Sequence, residues 1–111
     1  MQLVTSIIRP HKVDAVREAL STVGVSGLTI VEVRGRGHQC GHTAVYRGRE
    51  YEVTLLPKML VECVVPERLV EPAVRAVITA ARTGEVGDGR VFVTPVLQSY
   101  RIRTGEREEP Q

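Results

Sequence analysis

Hydrophobic and polar positions follow two periods along the chain and outline six regular elements. Segments that are rich in β-branched residues or that alternate apolar and polar residues predict strands, whereas apolar residues spaced three and four apart predict helices. The predicted strands cover residues 2–9, 28–35, 57–65 and 90–96, and the predicted helices cover residues 13–24 and 69–82. The order is strand, helix, strand, strand, helix, strand.

Each predicted helix has one apolar stripe. The stripes consist of Val13, Val16, Leu20 and Val23 in the first helix and of Val70, Ala73, Val74, Val77 and Ala81 in the second. Pro72 is compatible with the second helix only in its first turn, where the missing N–H is no loss. Gly24 and Gly84 are expected to end the two helices.

This element order predicts an α+β fold of the ferredoxin-like βαββαβ type. In that fold two helices cover one face of a four-stranded antiparallel sheet. The first and third strands are apolar on both faces, so the second face of the sheet would expose a hydrophobic patch to water. We therefore expect a homo-oligomer.

Composition fits one domain that covers residues 1–111. Of these residues, 42% are hydrophobic and 25% are charged. The two cysteines argue against a disulfide framework, and the first residues lack the pattern of a signal peptide, so we expect a cytoplasmic protein. The net charge of +2 gives little support for nucleic-acid binding. An RNA-binding sheet also needs stacking aromatic residues, and Phe92 is the only phenylalanine.

A glycine-rich interval from about residue 36 to 54 separates the second and third predicted strands. It has no apolar stripe, and an irregular link of this length in a compact domain is either functional or misassigned. We favour a functional loop. The interval contains His38, Cys40 and His42, and imidazole with thiolate can bind zinc. Structural zinc normally takes four ligands and the sequence has no second cluster, so a metal site stays an alternative to polar loop residues.

The sequence TGEVGDGR, residues 83–90, has two glycines at the spacing of a Walker A loop. Arg90 replaces the lysine of that motif and the segment runs from helix to strand, so ATP hydrolysis by the Walker mechanism is not expected. Gly87 and Gly89 would let successive backbone N–H groups turn inward and bind an anion, to which Arg90 adds charge. A plain tight turn is the alternative.

Two further pairs of side chains are candidates for ligand binding. Arg101 and Arg103 lie two apart in a segment predicted to be extended, so both would point the same way toward phosphate oxygens. Lys58 and Glu62 share one face of the third strand, as a salt-bridged pair or as part of a pocket for a base and a carboxylate. No nucleophile, base and orienting group occur at a recognisable spacing, so no enzyme is predicted, although slow ATP hydrolysis stays open.

Four motifs in order resemble the nitrogen-regulatory PII signal-transduction proteins. They are YRGREY at 46–51, LLPK at 55–58, TGEVGDGRVFV at 83–93 and RIRTGE at 101–106. The resemblance runs from residue 1 to about 106 and implies a cytosolic homotrimer with three nucleotide sites in the clefts between subunits. It also implies a mobile T-loop at about 36–54, a phosphate-binding loop at about 82–90 and a flexible C-terminal tail at about 104–111.

The resemblance also implies the ligands and their residues. ATP or ADP would be bound by Ile7, Thr29, Gly35, Gly37, His38, Glu62, Val64, Gly87, Asp88, Gly89, Arg90, Arg101 and Arg103. The effector 2-oxoglutarate would be bound by Gln39, Gly41, Lys58 and Gly87, and Gln39 would also hold Mg²⁺ beside ATP. ATP with 2-oxoglutarate would favour one shape of the T-loop and ADP another.

T-loop residues would serve partner proteins. Tyr46 and Arg47 would contact a partner such as an ammonium transporter or a nitrogen-metabolism enzyme, and a nucleotidyltransferase would modify Tyr51. The chain departs from the usual family residues at Arg36, His38, Cys40 and Arg49.

Overall fold

The computed structural model describes residues 1–36, 43–46, 49–52 and 55–108, and of the two short segments it describes the backbone alone. The strands are β1 (Gln2–Ile8), β2 (Thr29–Gly35), β3 (Thr43–Tyr46), β4 (Arg49–Glu52), β5 (Leu56–Val65) and β6 (Gly89–Pro95). The helices are α1 (Val13–Thr22) and α2 (Glu67–Ala81), and a 3₁₀ turn, Pro10–Lys12, precedes α1.

Four strands form one antiparallel sheet in the order β2-β5-β1-β6. The central strand β1 places Ile8 opposite Met59 on one side and Gly89 on the other. With two helices and four antiparallel strands, the ferredoxin-like α+β prediction is confirmed. This pairing brings the end of β1 next to the start of β6, which is where the candidate site lies.

The core lies between the two helices and one face of the sheet. Val4 and Ile8 of β1 and Val61 of β5 are at most 2% exposed, and they pack with Val16 and Leu20 of α1. Burying such an aliphatic side chain stabilises the fold by about 1.5–3 kcal/mol relative to exposure. Every residue of the two predicted helical stripes is either buried in this core or packed against it.

The opposite face of the sheet carries apolar side chains that the helices do not cover. Val31, Val64 and Phe92 are 44%, 49% and 46% exposed in the single chain. Register places Phe92 opposite Thr5 of β1, on the face away from the core residues Val4 and Val61. A row of large apolar groups in water is unfavourable, and the self-association expected from the sequence stays a prediction.

Helix α2 corrects the prediction for Pro72. The helix begins at Glu67, two residues before the predicted start, so Pro72 lies in its second turn instead of its first. A proline there cannot donate to the carbonyl of Arg68, four residues earlier. Both residues lie on the exposed side of the helix.

Strands β3 and β4 lie within the interval that the sequence predicted to be irregular. They pair with each other as an antiparallel two-stranded sheet, with Thr43 opposite Glu52 and Tyr46 opposite Arg49. Only two residues, Arg47 and Gly48, separate the strands, and the prediction missed this pairing because Arg-Gly is not one of the usual hairpin turn sequences. Among the described residues, no helix is both long and apolar enough to cross a membrane.

Candidate functional site

The loop between α2 and β6 is closed by the carboxylate of Asp88. One oxygen accepts the backbone N–H groups of Thr83 and Gly84 at 2.8 and 2.9 Å, and the other accepts the Thr83 hydroxyl. These hydrogen bonds, that of the hydroxyl above all, hold the pKa of Asp88 well below its usual range. Gly84 and Gly87 adopt φ of +90° and +102°, so the path of this loop favours glycine at both positions.

Two basic side chains tie this loop to the sheet. Arg9, which follows β1, donates from Nε to Asp88 Oδ1 at 3.1 Å and from a terminal nitrogen to the Val86 carbonyl at 2.8 Å. Lys58 of β5 donates from Nζ to the Gly87 carbonyl at 2.7 Å. Burial of Lys58, which is 8% exposed, lowers its pKa, and the nearby Arg9 charge adds to that effect. The loop is therefore held in one shape before any ligand arrives.

Arg9 was missed by the sequence analysis. Its position directly after a strand gave no signal of function, because the partner loop is far away in sequence. The register of β1 with β6, which places Ile8 opposite Gly89, brings the two together. The contact between Arg9 and Asp88 could have been predicted only if this register had been known.

Gly89 begins β6 at a point of close approach to β1. Its φ is +108°, and a Cβ built on it would lie 1.7 Å from the carbonyl oxygen of Ile7. Both the backbone conformation and the space therefore require glycine. This contact fixes the spacing between the loop and the sheet.

An open cleft of about 600 Å³ lies beside the loop. Its walls include Ile7, Gly35, Lys58, Phe92 and the segment from residue 85 to 90. Basic residues outnumber acidic ones in its lining, because Arg36, Lys58 and Arg90 face Glu85 and an Asp88 already paired with Arg9, and apolar residues complete the wall. Such a surface is suited to an anionic ligand with a flat apolar part.

The remaining predicted nucleotide residues lie elsewhere in the chain. Val64 and Arg101 line a second open cleft, of about 650 Å³, together with Gly27 and the segment from residue 106 to 108. Register places Val64 opposite Leu3 and Arg90 opposite Ile7, which are about 13 Å apart along β1. One chain therefore carries the two groups of predicted residues at opposite ends of the sheet.

Lys58 and Glu62 both belong to β5 but have different neighbours. Glu62 is opposite Thr29 in the sheet, whereas Lys58 bonds to the loop. Within the described ranges no salt bridge joins Lys58 to Glu62. The interpretation of these two residues as an ion pair is therefore wrong.

The prediction of an extended segment around Arg101 and Arg103 is also wrong. Residues 102–104 form a turn, and the Arg101 carbonyl accepts the Gly105 N–H at 2.7 Å. Gly105 has φ of +72°, which allows the chain to reverse. Only Arg101 of the two arginines borders the second cleft.

Several predicted site residues lie outside the described part of the chain. They are Gly37, His38, Gln39, Gly41 and Arg47, and the alternative metal ligands Cys40 and His42 lie there as well. Tyr46 and Tyr51 belong to β3 and β4, for which only the backbone is described. Within the described residues, no group of three potential metal ligands occurs. The described residues thus give the metal alternative no support, and its three ligands lie outside them.

Fold and site together define a small ferredoxin-like α+β protein with a glycine-containing loop fixed against the sheet and a cationic cleft beside it. The sequence profile of the family described as Nitrogen regulatory protein P-II matches residues 1–106. The chain therefore belongs to the nitrogen regulatory protein P-II family, a family of regulators.

Individual relatives match over almost the whole chain. The Nitrogen regulatory protein P-II of Haemophilus influenzae is 52% identical over 109 residues, which cover 98% of this chain and 97% of that protein. The protein of the same description from Rhizobium etli is 50% identical over 108 residues, covering 97% and 96% of the two chains. That from Azospirillum brasilense is 51% identical over 107 residues, covering 96% of each.

Proposed function

We propose that the protein is a cytoplasmic regulator of nitrogen metabolism that binds ATP or ADP and, together with Mg-ATP, 2-oxoglutarate. The observation that carries this proposal is the cationic cleft beside the loop fixed by Asp88. Lys58 and Arg90 border that cleft and supply positive charge where phosphates would lie. The family membership of the chain, whose relatives are named as nitrogen regulators, supports the same function.

The nucleotide would lie between two subunits of a homotrimer. The two groups of predicted nucleotide residues line two separate clefts of one chain, and two adjacent copies would supply one group each to a shared site. The exposed apolar face around Val64 and Phe92 gives the copies a surface to bury. Phosphates would bind at Gly87 to Arg90 of one subunit and near Arg101 of the next.

Within the phosphate site the side chain of Asp88 has a supporting role in this proposal. Its carboxylate is occupied by Thr83, Gly84 and Arg9, so it shapes the loop while backbone N–H groups and Arg90 face the phosphates. Besides the phosphate site, Lys58 would provide a position for a ligand carboxylate. Its Nζ lies at the cleft and would pair with the distal carboxylate of 2-oxoglutarate.

The T-loop, about residues 36–54, would transmit the ligand state to partners. Its base continues from Gly35 at the end of β2, which borders the cleft, so a bound ligand contacts the point where the loop begins. Partners would be an ammonium transporter or a nitrogen-metabolism enzyme, contacted through Tyr46 and Arg47. A nucleotidyltransferase acting on Tyr51 would add bulk and negative charge and so block docking.

Calorimetric titration tests the ligands directly. Mg-ATP is titrated into the protein, and 2-oxoglutarate is then titrated in the absence and in the presence of Mg-ATP. We expect 2-oxoglutarate to bind only when Mg-ATP is present, because Mg²⁺ held beside ATP by Gln39 would complete its site. Absence of any nucleotide binding would contradict the proposal.

Matched variants locate the site. Arg90→Gln removes a charge at the cleft, whereas Arg17→Gln removes one from an exposed pair on α1. Loss of one charge-assisted hydrogen bond to phosphate corresponds to about tenfold weaker ATP binding, and only Arg90→Gln should show it. Light scattering coupled to size-exclusion chromatography measures the oligomeric state. We expect a trimer, and a monomer would contradict the shared site.

A further inference from the structure

The segment from Ser99 to Glu108 is a closed loop, and Glu108 is the residue that closes it. The Glu108 backbone N–H donates to the Ser99 carbonyl at 2.8 Å, and one carboxylate oxygen accepts the Ser99 hydroxyl at 2.8 Å. The other carboxylate oxygen accepts Nε of Arg101 at 3.1 Å. One side chain thus connects the two ends of the segment and the arginine between them.

The backbone of the segment supports the same closure. Arg101 donates its N–H to the Glu106 carbonyl at 2.8 Å, and Tyr100 forms an isolated antiparallel bridge with Arg107. The Ser99 hydroxyl, followed by Arg101, holds the pKa of Glu108 below its usual range, so the carboxylate is charged at neutral pH. The guanidinium of Arg101 therefore has a fixed anionic partner on one edge.

The position of that partner matters for Arg101. Glu108 takes only the Nε edge, and among the described residues no salt bridge or hydrogen bond occupies the two terminal nitrogens of Arg101. The Arg101 side chain is 60% exposed and borders the second cleft. A planar guanidinium held at Nε can still present both terminal nitrogens to a phosphate in a bidentate arrangement.

We propose that Glu108 is a positioning residue for phosphate binding, which orients the guanidinium of Arg101 toward the cleft through its Nε contact while Ser99 fixes the carboxylate. This inference rests on the proposed nucleotide function and assigns a role to a residue that the sequence analysis did not select. Because Glu108 already orders the side chain of Arg101, less conformational entropy is lost when that arginine binds phosphate.

Calorimetric measurement of the Mg-ATP Kd tests the proposal, with a cycle of variants on the full chain. We expect Glu108→Ala to weaken Mg-ATP binding about three- to fivefold, the scale of an exposed ion pair, and Arg101→Ala to weaken it about tenfold or more. The decisive readout is the double variant. If Glu108 acts through Arg101, adding Glu108→Ala to Arg101→Ala changes the Kd no further.

A control pair is available on α2, where Glu71 accepts Nε of Arg75 at 3.0 Å in the same geometry but with greater exposure. Glu71→Ala should leave the Kd unchanged. Glu108→Gln retains an oxygen that can accept Nε and should keep most of the affinity. If Glu108→Ala does not fold, Ser99→Ala takes its place, because it removes the hydroxyl that holds the carboxylate and should also weaken binding.

Each contrary outcome is distinct. Tighter binding by Glu108→Ala would overturn the proposal and show that the carboxylate competes with phosphate for Arg101. An equal loss in the wild-type and Arg101→Ala backgrounds would overturn it as well, because Glu108 would then act independently of Arg101. If wild-type protein binds Mg-ATP and Glu108→Ala binds it equally, this inference alone fails. If the wild type binds no nucleotide, the proposed function fails with it.

Discussion

Replacing Gly89 with alanine tests whether the close approach of β6 to β1 sets the position of the loop. Gly84 provides the matched control, because both glycines have positive φ, of +108° and +90°, and only one of them is crowded. Around Gly84 a Cβ would meet nothing within 4 Å, whereas at Gly89 it would lie 1.7 Å from the Ile7 carbonyl oxygen and 2.8 Å from its carbon. The pair therefore separates backbone strain from steric overlap.

The expected magnitudes follow from this difference. A left-handed conformation costs an alanine about 1–2 kcal/mol, so Gly84→Ala should lose about 1 kcal/mol of unfolding free energy once the reduced freedom of the unfolded chain is counted. Gly89→Ala carries the same strain and must also move β6 away from β1 by more than an ångström. That movement breaks hydrogen bonds of the sheet, and we expect a loss of about 4 kcal/mol or more.

Urea unfolding followed by circular dichroism measures both variants, at one fixed protein concentration because self-association couples to stability. The midpoint should fall slightly for Gly84→Ala and steeply for Gly89→Ala, with similar slopes. A Gly89→Ala variant within about 1 kcal/mol of Gly84→Ala would refute the reasoning, since it would show that the two strands separate at little cost.

Three further predictions concern other parts of the fold. Pro72→Ala should raise the stability by about 1–3 kcal/mol in urea unfolding, because it restores an N–H in the second turn of α2, and no gain would contradict the placement of Pro72. Because the pKa of Asp88 is lowered in the fold, its carboxylate contributes stability above the usual carboxyl pKa, and this contribution is lost as pH falls from about 4. The difference in unfolding free energy between wild type and Asp88→Asn should therefore shrink on acidification, and a difference that does not change with pH would contradict this. In a Cys40→Ser variant Cys63 is the only thiol, and its burial raises its pKa. It should therefore react with a thiol reagent on the order of 100-fold faster in urea than in the native state, and equal rates would contradict its burial.

Element types were predictable because the hydrophobic period of each long segment matches its packing. Val16 and Leu20 form a stripe in the sequence and lie in the core of the structure. Burial on one face enforces that period wherever the element is long. Strands β3 and β4 have four residues each, too few for a clear period, and the second-turn position of Pro72 followed from two extra residues at the start of α2.

The candidate site was predictable only in part, since its geometry depends on contacts between distant segments. Glycines and arginines in one short loop suggested an anion site from local sequence. The contact of Arg9 with Asp88 arises from strand register. The contact of Glu108 with Arg101 arises because the chain reverses in a segment that was predicted to be extended. Neither contact leaves a local pattern in the residues that make it.

The central position of β1 determines when the domain can form. Its first residue, Gln2, pairs with Val65 and also with Pro95, so the strand made first by the ribosome waits for the strand made last. Contacts of such long sequence separation slow folding, because the chain must close large loops before they form. During synthesis one edge of β1 can pair once β5 has emerged, whereas its other edge stays unpaired until β6 follows.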